Sequence, residues 1–157
     1  MRSPDVIAIE EIQDNDGATN TAVTDASVTW TMLIDAIVAA GGPRYEYRQS
    51  DTVDDQDGGE PGGNIRVGFL TRSDHGVHFI DRPGGGPTTP TTVVGTASGP
   101  ELSSSPGRIA PSDAAFTSTR KSLAGEFRAH GKHLFVVANH FRRRVRARSL
   151  ATPRRRS

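Results

Sequence analysis

The stretch Pro4–Asn15 constrains the fold more than any other part of the sequence. Val6–Ile9 is a short, uninterrupted apolar run rich in β-branched residues, and such a run predicts a strand buried on both faces of a helix-covered sheet. It ends abruptly in Glu10 and Glu11, and Asp14 follows. Oxygen ligands at the end of a buried strand suit a hard cation such as Mg²⁺, although acidic loop residues also serve simply to keep a surface soluble.

Charge divides the sequence into an acidic body and a basic end. The formal net charge is +1, but residues 142–157 hold eight Arg and no acid, which leaves 11 basic against 18 acidic residues in residues 1–141. The total of 157 residues is enough for one domain with a hydrophobic core. We therefore predict a folded domain over residues 1–141 and an Arg-rich disordered tail over residues 142–157.

Several classes of protein are disfavoured by what the sequence lacks. It contains no cysteine, which excludes disulfides and thiolate metal sites. No run approaches the roughly 18 apolar residues that span a bilayer, so we expect no membrane partner. Asp5, Glu10 and Glu11 interrupt the N-terminal region where a secretory signal would need an apolar segment. Localisation stays open, and so does the oligomeric state.

Periodicity predicts one amphipathic helix. Its apolar positions follow the i, i+3, i+4, i+7, i+8 spacing: Trp30, Leu33, Ile34, Ile37 and Val38. Asp25 is a candidate N-cap, and the Gly-Gly-Pro sequence at 41–43 is a strong stop signal.

Alternating and continuous apolar runs predict the strands, namely Tyr45–Arg48, Asn64–Arg72, Val77–Ile80, Leu123–Phe127 and Leu134–Ala138. The second and third of these are expected to form a hairpin, and the last two a second hairpin. Residues 81–111 are rich in Gly, Pro, Thr and Ser and predict a long loop. The predicted fold class is α+β.

Polar residues follow the second strongly apolar run as they follow the first. Leu134–Ala138 carries the strongest signal for a buried strand and leads into Asn139 and His140. If this strand lies beside the N-terminal strand, Glu11 and His140 share one cleft. There a carboxylate can hold Mg²⁺, and an imidazole can act as general acid, as general base or as a hydrogen-bond donor to a phosphate. The alternative for His140 is a hydrogen bond to backbone. Arg120, just before a strand, can meet a phosphate or remain a solvated charge.

Three segments, taken in order, resemble the endonuclease/exonuclease/phosphatase superfamily. Residues 4–15 resemble its metal-glutamate motif, and residues 58–70 resemble its bacterial extracellular-nuclease branch. Residues 120–127, followed by residues 136–141, complete the set. The resemblance spans nearly the whole acidic body.

The resemblance implies a DNase-like fold of two packed mixed β-sheets flanked by helices. It implies hydrolysis of phosphoester bonds, with nucleic acid as substrate and Mg²⁺ or a similar divalent cation as cofactor. Glu11 matches the metal-binding glutamate, and His140 matches the catalytic histidine near the scissile phosphate. Arg120, Asn64 and Asn139 are expected to contact the substrate phosphate.

The sequence also departs from this family. The Asn-Ser-Lys continuation after His140 and Phe141 and the later Gly-Asp-x-Asn and Ser-Asp-His motifs are absent. We therefore expect a partial, incomplete two-sheet sandwich, with a frameshift near Phe141 and weak or no activity. The alternatives are a non-catalytic fragment and a protein that binds nucleic acid through its basic C-terminal arm.

Overall fold

A computed structural model describes residues 3–141, and these form an α+β domain. The predicted tail, residues 142–157, lies outside the described residues. The elements, in chain order, are β1 Val6–Ile12, α1 Ser27–Ala39, β2 Glu46–Gln49, β3 Arg66–Thr71, β4 Val77–Ile80, β5 Val93–Thr96, β6 Gly99–Leu102, β7 Gly107–Arg108, a 3₁₀ turn Ala114–Phe116, β8 Leu123–Ala129 and β9 Lys132–Ala138. Along this range no helix has the length and apolar character needed to cross a bilayer.

The strands form two main sheets and a separate hairpin. Sheet A has the order β1-β3-β2. In sheet B, β8 is central, with β9 along one side and β4 and β7 along the other. Strands β5 and β6 pair only with each other among the described strands. Every pairing between these strands is antiparallel, whereas the resemblance implies mixed sheets.

The two sheets pack face to face through aromatic side chains. Phe69 of sheet A packs against both Phe79 and Phe127 of sheet B, with ring centroids 6.2 Å and 5.5 Å away. Phe79 and Phe127 meet edge to face at 4.9 Å, an arrangement that aromatic quadrupoles favour. This cluster fixes one sheet against the other and holds the edge strands β1 and β9 on the same side of the sandwich, where they contact each other.

Helix α1 covers the outer face of sheet A, as its periodicity predicts. Trp30 and Ile34 are buried against Leu70, and Trp30 stacks on Tyr47 with centroids 5.3 Å apart. The predicted cap is displaced, however. The helix begins at Ser27, so Ala26 holds the cap position. The backbone N–H groups of residues 28 and 29 donate to Oδ1 of Asn15, while Asp25 Oδ1 accepts from the Ser27 N–H.

Two predictions about chain connections are wrong. Strands β3 and β4 do not form a hairpin, because β3 belongs to sheet A and β4 pairs with β8 in sheet B. Residues 81–111 are not a continuous loop, since they contain the β5–β6 hairpin and β7. The second predicted hairpin, β8–β9, is confirmed, with His130 and Gly131 both at positive φ as a two-residue primed turn requires.

The burial predicted for the two apolar strands is also wrong. In β1, Ala8 and Glu10 are exposed, and in β9, Leu134 and Val137 are exposed. Both are edge strands of their sheets within residues 3–141. An apolar run therefore reports which residues favour a strand, but not whether neighbouring elements cover it.

Candidate functional site

The end of β1 contains a β-bulge that turns Glu11 away from the core. Ile9 pairs with Gly68 and Ile12 with Arg66, so β1 holds one more residue than β3 over this interval. Glu11 has φ +62°, a left-handed conformation that costs about 1–3 kcal/mol for a residue other than glycine. Because of the extra residue, both Ile9 and Ile12 face helix α1, and Glu11 projects outward.

Two side chains from distant parts of the chain meet the Glu11 carboxylate. Arg120 Nη2 lies 2.7 Å from Glu11 Oε1, and His140 Nε2 lies 3.2 Å from the same oxygen. The Glu11 side chain is 59% exposed, whereas those of Arg120 and His140 are 12% and 17% exposed. We call these three residues the Glu11 cluster. It consists of an accessible carboxylate backed by one guanidinium cation and one imidazole, both largely buried.

The segment that carries Arg120 is held by buried contacts beneath it. Lys121 turns inward, and its Nζ donates to the carbonyl oxygens of Gln56, Phe116 and Thr119. Burial lowers the pKa of Lys121. Arg108 makes a bidentate pair with Asp57 beside it. These contacts anchor the chain on either side of Arg120, so its guanidinium group is directed toward β1.

Glycine residues allow a close approach that the sequence analysis does not identify. A Cβ atom on Gly58, whose φ is +67°, would lie 2.1 Å from the carbonyl oxygen of Ser118, and one on Gly59 would lie 3.6 Å from Cζ of Arg120. Only glycine permits this contact between the loop and residues 118–120. The glycine repeat at 58–63 is the only sequence signal for it.

His140 lies directly after β9, and its position is fixed by its neighbour. Asn139 Oδ1 accepts a hydrogen bond from Ser122 Oγ at the start of β8. His140 Nδ1 and Arg120 Nε are buried and have no hydrogen-bond partner within residues 3–141. Both nitrogens belong to residues that contact Glu11, and a buried polar atom without a partner is uncommon in a folded protein.

The side-chain amides of Asn64 and Asn139 form hydrogen bonds within the protein and do not contact the Glu11 carboxylate. The Asn64 side chain donates to Asp14 Oδ2, Asp54 Oδ1 and the Val23 carbonyl, and its oxygen accepts from the Asp55 N–H. These bonds tie two loops together and occupy the buried amide. Asn139 is engaged with Ser122, as described above. Their predicted contacts with a substrate phosphate stay predictions.

The side chains present fit a divalent cation only in a minimal way. Within residues 3–141, no three His, Asp or Glu side chains gather as a metal-ligand group. Glu11 supplies a single exposed carboxylate, and its Oε2 makes no hydrogen bond in this part of the chain. One or two carboxylates completed by water and substrate phosphates are a usual arrangement for Mg²⁺. The cluster fits that arrangement and not a dedicated protein cage.

A wide cleft of about 1070 Å³ lies elsewhere, between residues 44–51 along β2 and the glycine loop 81–87. Its charged side chains are already paired. Arg48 binds Asp81 through Nε and Nη2, at 2.7 Å and 2.8 Å, and Arg44 binds Asp35 at 2.8 Å. The Glu11 cluster does not line this cleft. Its residues instead combine a strained backbone with unpaired buried nitrogens, so we regard the cluster as the better candidate site.

Comparison with known proteins adds no assignment. No protein-family model matches the sequence, and neither the curated proteins nor the solved structures yield a match.

Proposed function

We propose that the Glu11 cluster belongs to a divalent-cation-dependent phosphoester hydrolase of the endonuclease/exonuclease/phosphatase type, with a DNase-like fold and nucleic acid as substrate. One observation carries the proposal. Arg120 and His140 both contact the same carboxylate oxygen of Glu11, at 2.7 Å and 3.2 Å. The family resemblance selects these three residues from three separate segments of the sequence. The left-handed backbone at Glu11 supports it, because strain of this kind concentrates at functional sites.

Each residue has a role that follows from its chemistry. Glu11 would hold Mg²⁺ through its exposed carboxylate. When bound, such an ion supplies positive charge to the phosphate oxygens and lowers the pKa of water. Arg120 can turn from Glu11 to a phosphate oxygen, since a guanidinium group forms bidentate contacts with phosphate. His140 can donate a proton or hydrogen bond to the phosphate from Nε2.

We expect the turnover to be slow. Within residues 3–141, the Glu11 cluster contains one carboxylate and one imidazole, and the role proposed for the imidazole is to contact the phosphate. Activation of the attacking water by a protein side chain needs a further general base. The proposed activity of this chain is therefore weak phosphodiester cleavage.

The proposal is tested by cleavage of labelled DNA and RNA, and of a chromogenic phosphodiester, with and without Mg²⁺. We expect slow metal-dependent cleavage that Glu11→Gln lowers by about 10²-fold or more. Glu10→Gln is the matched control, because Glu10 is exposed and, within residues 3–141, its carboxylate pairs with neither Arg120 nor His140, and it should retain activity. Cleavage that survives Glu11→Gln would overturn the proposal.

A second function rests on composition. Residues 142–157 hold eight Arg and no acid, and such a segment neutralises phosphates and releases counterions regardless of base sequence. We propose nonspecific nucleic-acid binding through this arm as the alternative. It is favoured if the wild-type chain binds nucleic acid in a salt-dependent way and the cleavage assay shows no turnover.

A further inference from the structure

The far edge of β9 is open. Strand β8 pairs with β9 along its full length, from Leu123 with Ala138 to Ala129 with Lys132. Within residues 3–141, no strand pairs with the other side of β9. An edge of this kind presents a row of unpaired N–H and C=O groups that can pair with a further strand. We call this side of the strand the β9 edge.

Beyond Lys132 and His133 at its start, the β9 edge lacks the features that usually protect an edge strand. Residues 134–138 include no charge and no proline, and their register with β8 is regular. Leu134, Phe135 and Val137 are 44%, 38% and 48% exposed. Native edges are normally protected by charges, prolines or bulges. The β1 edge of sheet A has such protection, since it ends in a bulge with two glutamates.

We propose that the β9 edge is a homodimer interface, in which β9 of one copy pairs antiparallel with β9 of a second copy around Phe135. The four-stranded sheet B of each copy then continues across a two-fold axis as one eight-stranded sheet. The interface is isologous, so the same strand supplies both halves. This proposal does not depend on the proposed hydrolase function.

The side-chain order of β9 is complementary to itself in this register. Pairing around Phe135 puts Leu134 opposite Val136 and the two Phe135 rings across from each other. Apolar and aromatic cross-strand pairs of this kind stabilise an antiparallel sheet. Lys132 falls opposite Ala138, so the lysines of the two copies lie at opposite ends. No like charges are therefore brought together on the paired strands.

Charge also favours the antiparallel arrangement over a parallel one. The eight arginines of residues 142–157 follow Phe141 in the sequence. Antiparallel pairing makes the two chains leave β9 at opposite ends of the interface, whereas parallel pairing would bring both sets of arginines to the same end. The formal net charge of +1 per chain adds little overall repulsion between copies.

The exposed surface sets the expected strength of the dimer. The apolar patch on β9 extends to Phe141, which is exposed after the strand, and β1 lies on the same side of the sandwich. Together these side chains and the strand edge form a small surface, at the lower end of interface sizes. A dimer held by this area is expected to dissociate in the micromolar range.

Sedimentation equilibrium of the full chain across the micromolar range tests the proposal. We expect the average mass to rise from one chain to two and to stop there. Val137→Lys, which puts a charge on each copy next to the pairing edge, should weaken dimerisation by about tenfold or more. Met32→Lys is the matched control, because Met32 is an exposed apolar residue on α1, and it should dimerise like the wild type.

A cross-link locates the interface independently of the lysine variant. The chain has no cysteine, so Phe135→Cys introduces a single thiol on the proposed two-fold axis. Directly opposite Cβ atoms in an antiparallel pair are about 4.5–5.5 Å apart, close enough for a disulfide after a small adjustment. We expect a disulfide-linked dimer from Phe135→Cys and none above background from Met32→Cys.

Three results would overturn the proposal. The first is a wild-type chain that stays monomeric at all concentrations, and the second is assembly that continues beyond two copies. The third is Phe135→Cys forming no more linked dimer than Met32→Cys while circular dichroism shows a native fold.

Discussion

Arg120 Nη2 lies 2.7 Å from Glu11 Oε1, although 109 residues separate the two in the sequence. The contact joins the bulge of β1 in sheet A to the segment that leads into β8 in sheet B. The Glu11 cluster therefore forms only when the two sheets are packed against each other. Stability measurements and site measurements consequently report on the same structure.

The left-handed backbone at Glu11 should cost stability in a measurable way. Glu11→Gly removes both the carboxylate and the strain, whereas Glu11→Ala removes the carboxylate but retains the strain. We expect the glycine variant to be more stable than the alanine variant by about 1 kcal/mol in urea unfolding. Ala8→Gly, at a regular position of β1, is the control and should instead lose about 0.5–1 kcal/mol. Equal stability of the two Glu11 variants would show that the bulge is not strained.

Gly58 should be intolerant of any side chain because its loop contacts the backbone beneath Arg120. The Cβ atom of Gly58→Ala would lie 2.1 Å from the Ser118 carbonyl oxygen at φ +67°, so both a clash and strain result. We expect a loss of about 3 kcal/mol or more in the free energy of unfolding. Gly41→Ala isolates the strain, because Gly41 has φ +82° and open space around it, and should cost about 1 kcal/mol. Similar losses for both variants would contradict the close approach.

A buried carboxylate links the β5–β6 hairpin to sheet B and should make stability depend on acid. Burial raises the pKa of Glu126, but hydrogen bonds from Arg82 and the Leu102 N–H outweigh it and hold the pKa below its ordinary value. Glu101 also pairs with Arg82, and His133 Nδ1 lies 3.0 Å from Glu126 Oε1. Because the folded pKa is the lower one, this stabilisation is present above the unfolded pKa near 4.5 and is lost as pH falls through the folded value.

Urea unfolding measured from about pH 3 to about pH 7 gives this contribution, because the range includes the ordinary pKa of a carboxyl group. We expect Glu126→Gln to lose about 2 kcal/mol at neutral pH and to lose less additional stability in acid than the wild type. Glu46→Gln, at an exposed surface pair with Arg48, should retain the wild-type pH profile. A Glu126→Gln profile parallel to the wild type would assign the acid dependence to other groups.

The basic end should determine how nucleic-acid binding depends on salt. Replacing Arg142, Arg143 and Arg144 by serine removes three charges, so the slope of log affinity against log salt should fall by about 2–3 in magnitude. Fluorescence anisotropy with a labelled DNA duplex gives this slope. Arg44→Ser, on the folded domain, is the control and should leave it unchanged. An unchanged slope in the triple variant would show that these three arginines do not neutralise phosphates in the complex.

Local patterns predicted most elements of the fold but not their partners. The period of Trp30 and Ile34 predicts α1, and the run at Val67–Leu70 predicts β3, because both signals lie within a few residues. The hairpin of β3 and β4 was expected from a short turn. It does not form because Phe69 and Phe79 pack across the interface between the sheets, a contact that no local pattern records. The Thr- and Gly-rich β5–β6 hairpin carries too weak a strand signal to predict.

For the candidate site, too, the sequence predicted the residues but not the way in which the fold brings them together. Glu11 and His140 were expected to share a cleft if their strands lay side by side. They do approach, at 3.2 Å, but across the open side of two sheets instead of within one. The bulge was not predicted, although the three-residue spacing of Ile9 and Ile12 breaks the alternation of a strand and is its signal in the sequence. The catalytic roles of these residues stay predictions.

Binding of Mn²⁺ as a substitute for Mg²⁺, measured by electron paramagnetic resonance with and without thymidine monophosphate, tests the proposed site most directly. It does not require turnover, and the arginines of residues 142–157 are poor ligands for the metal. We expect the phosphate ester to strengthen Mn²⁺ binding by the wild type, Glu11→Gln to abolish that binding, and Glu10→Gln to retain it. Equal Mn²⁺ affinity in the wild type and Glu11→Gln would contradict a metal-binding role for Glu11 and with it the proposed hydrolase.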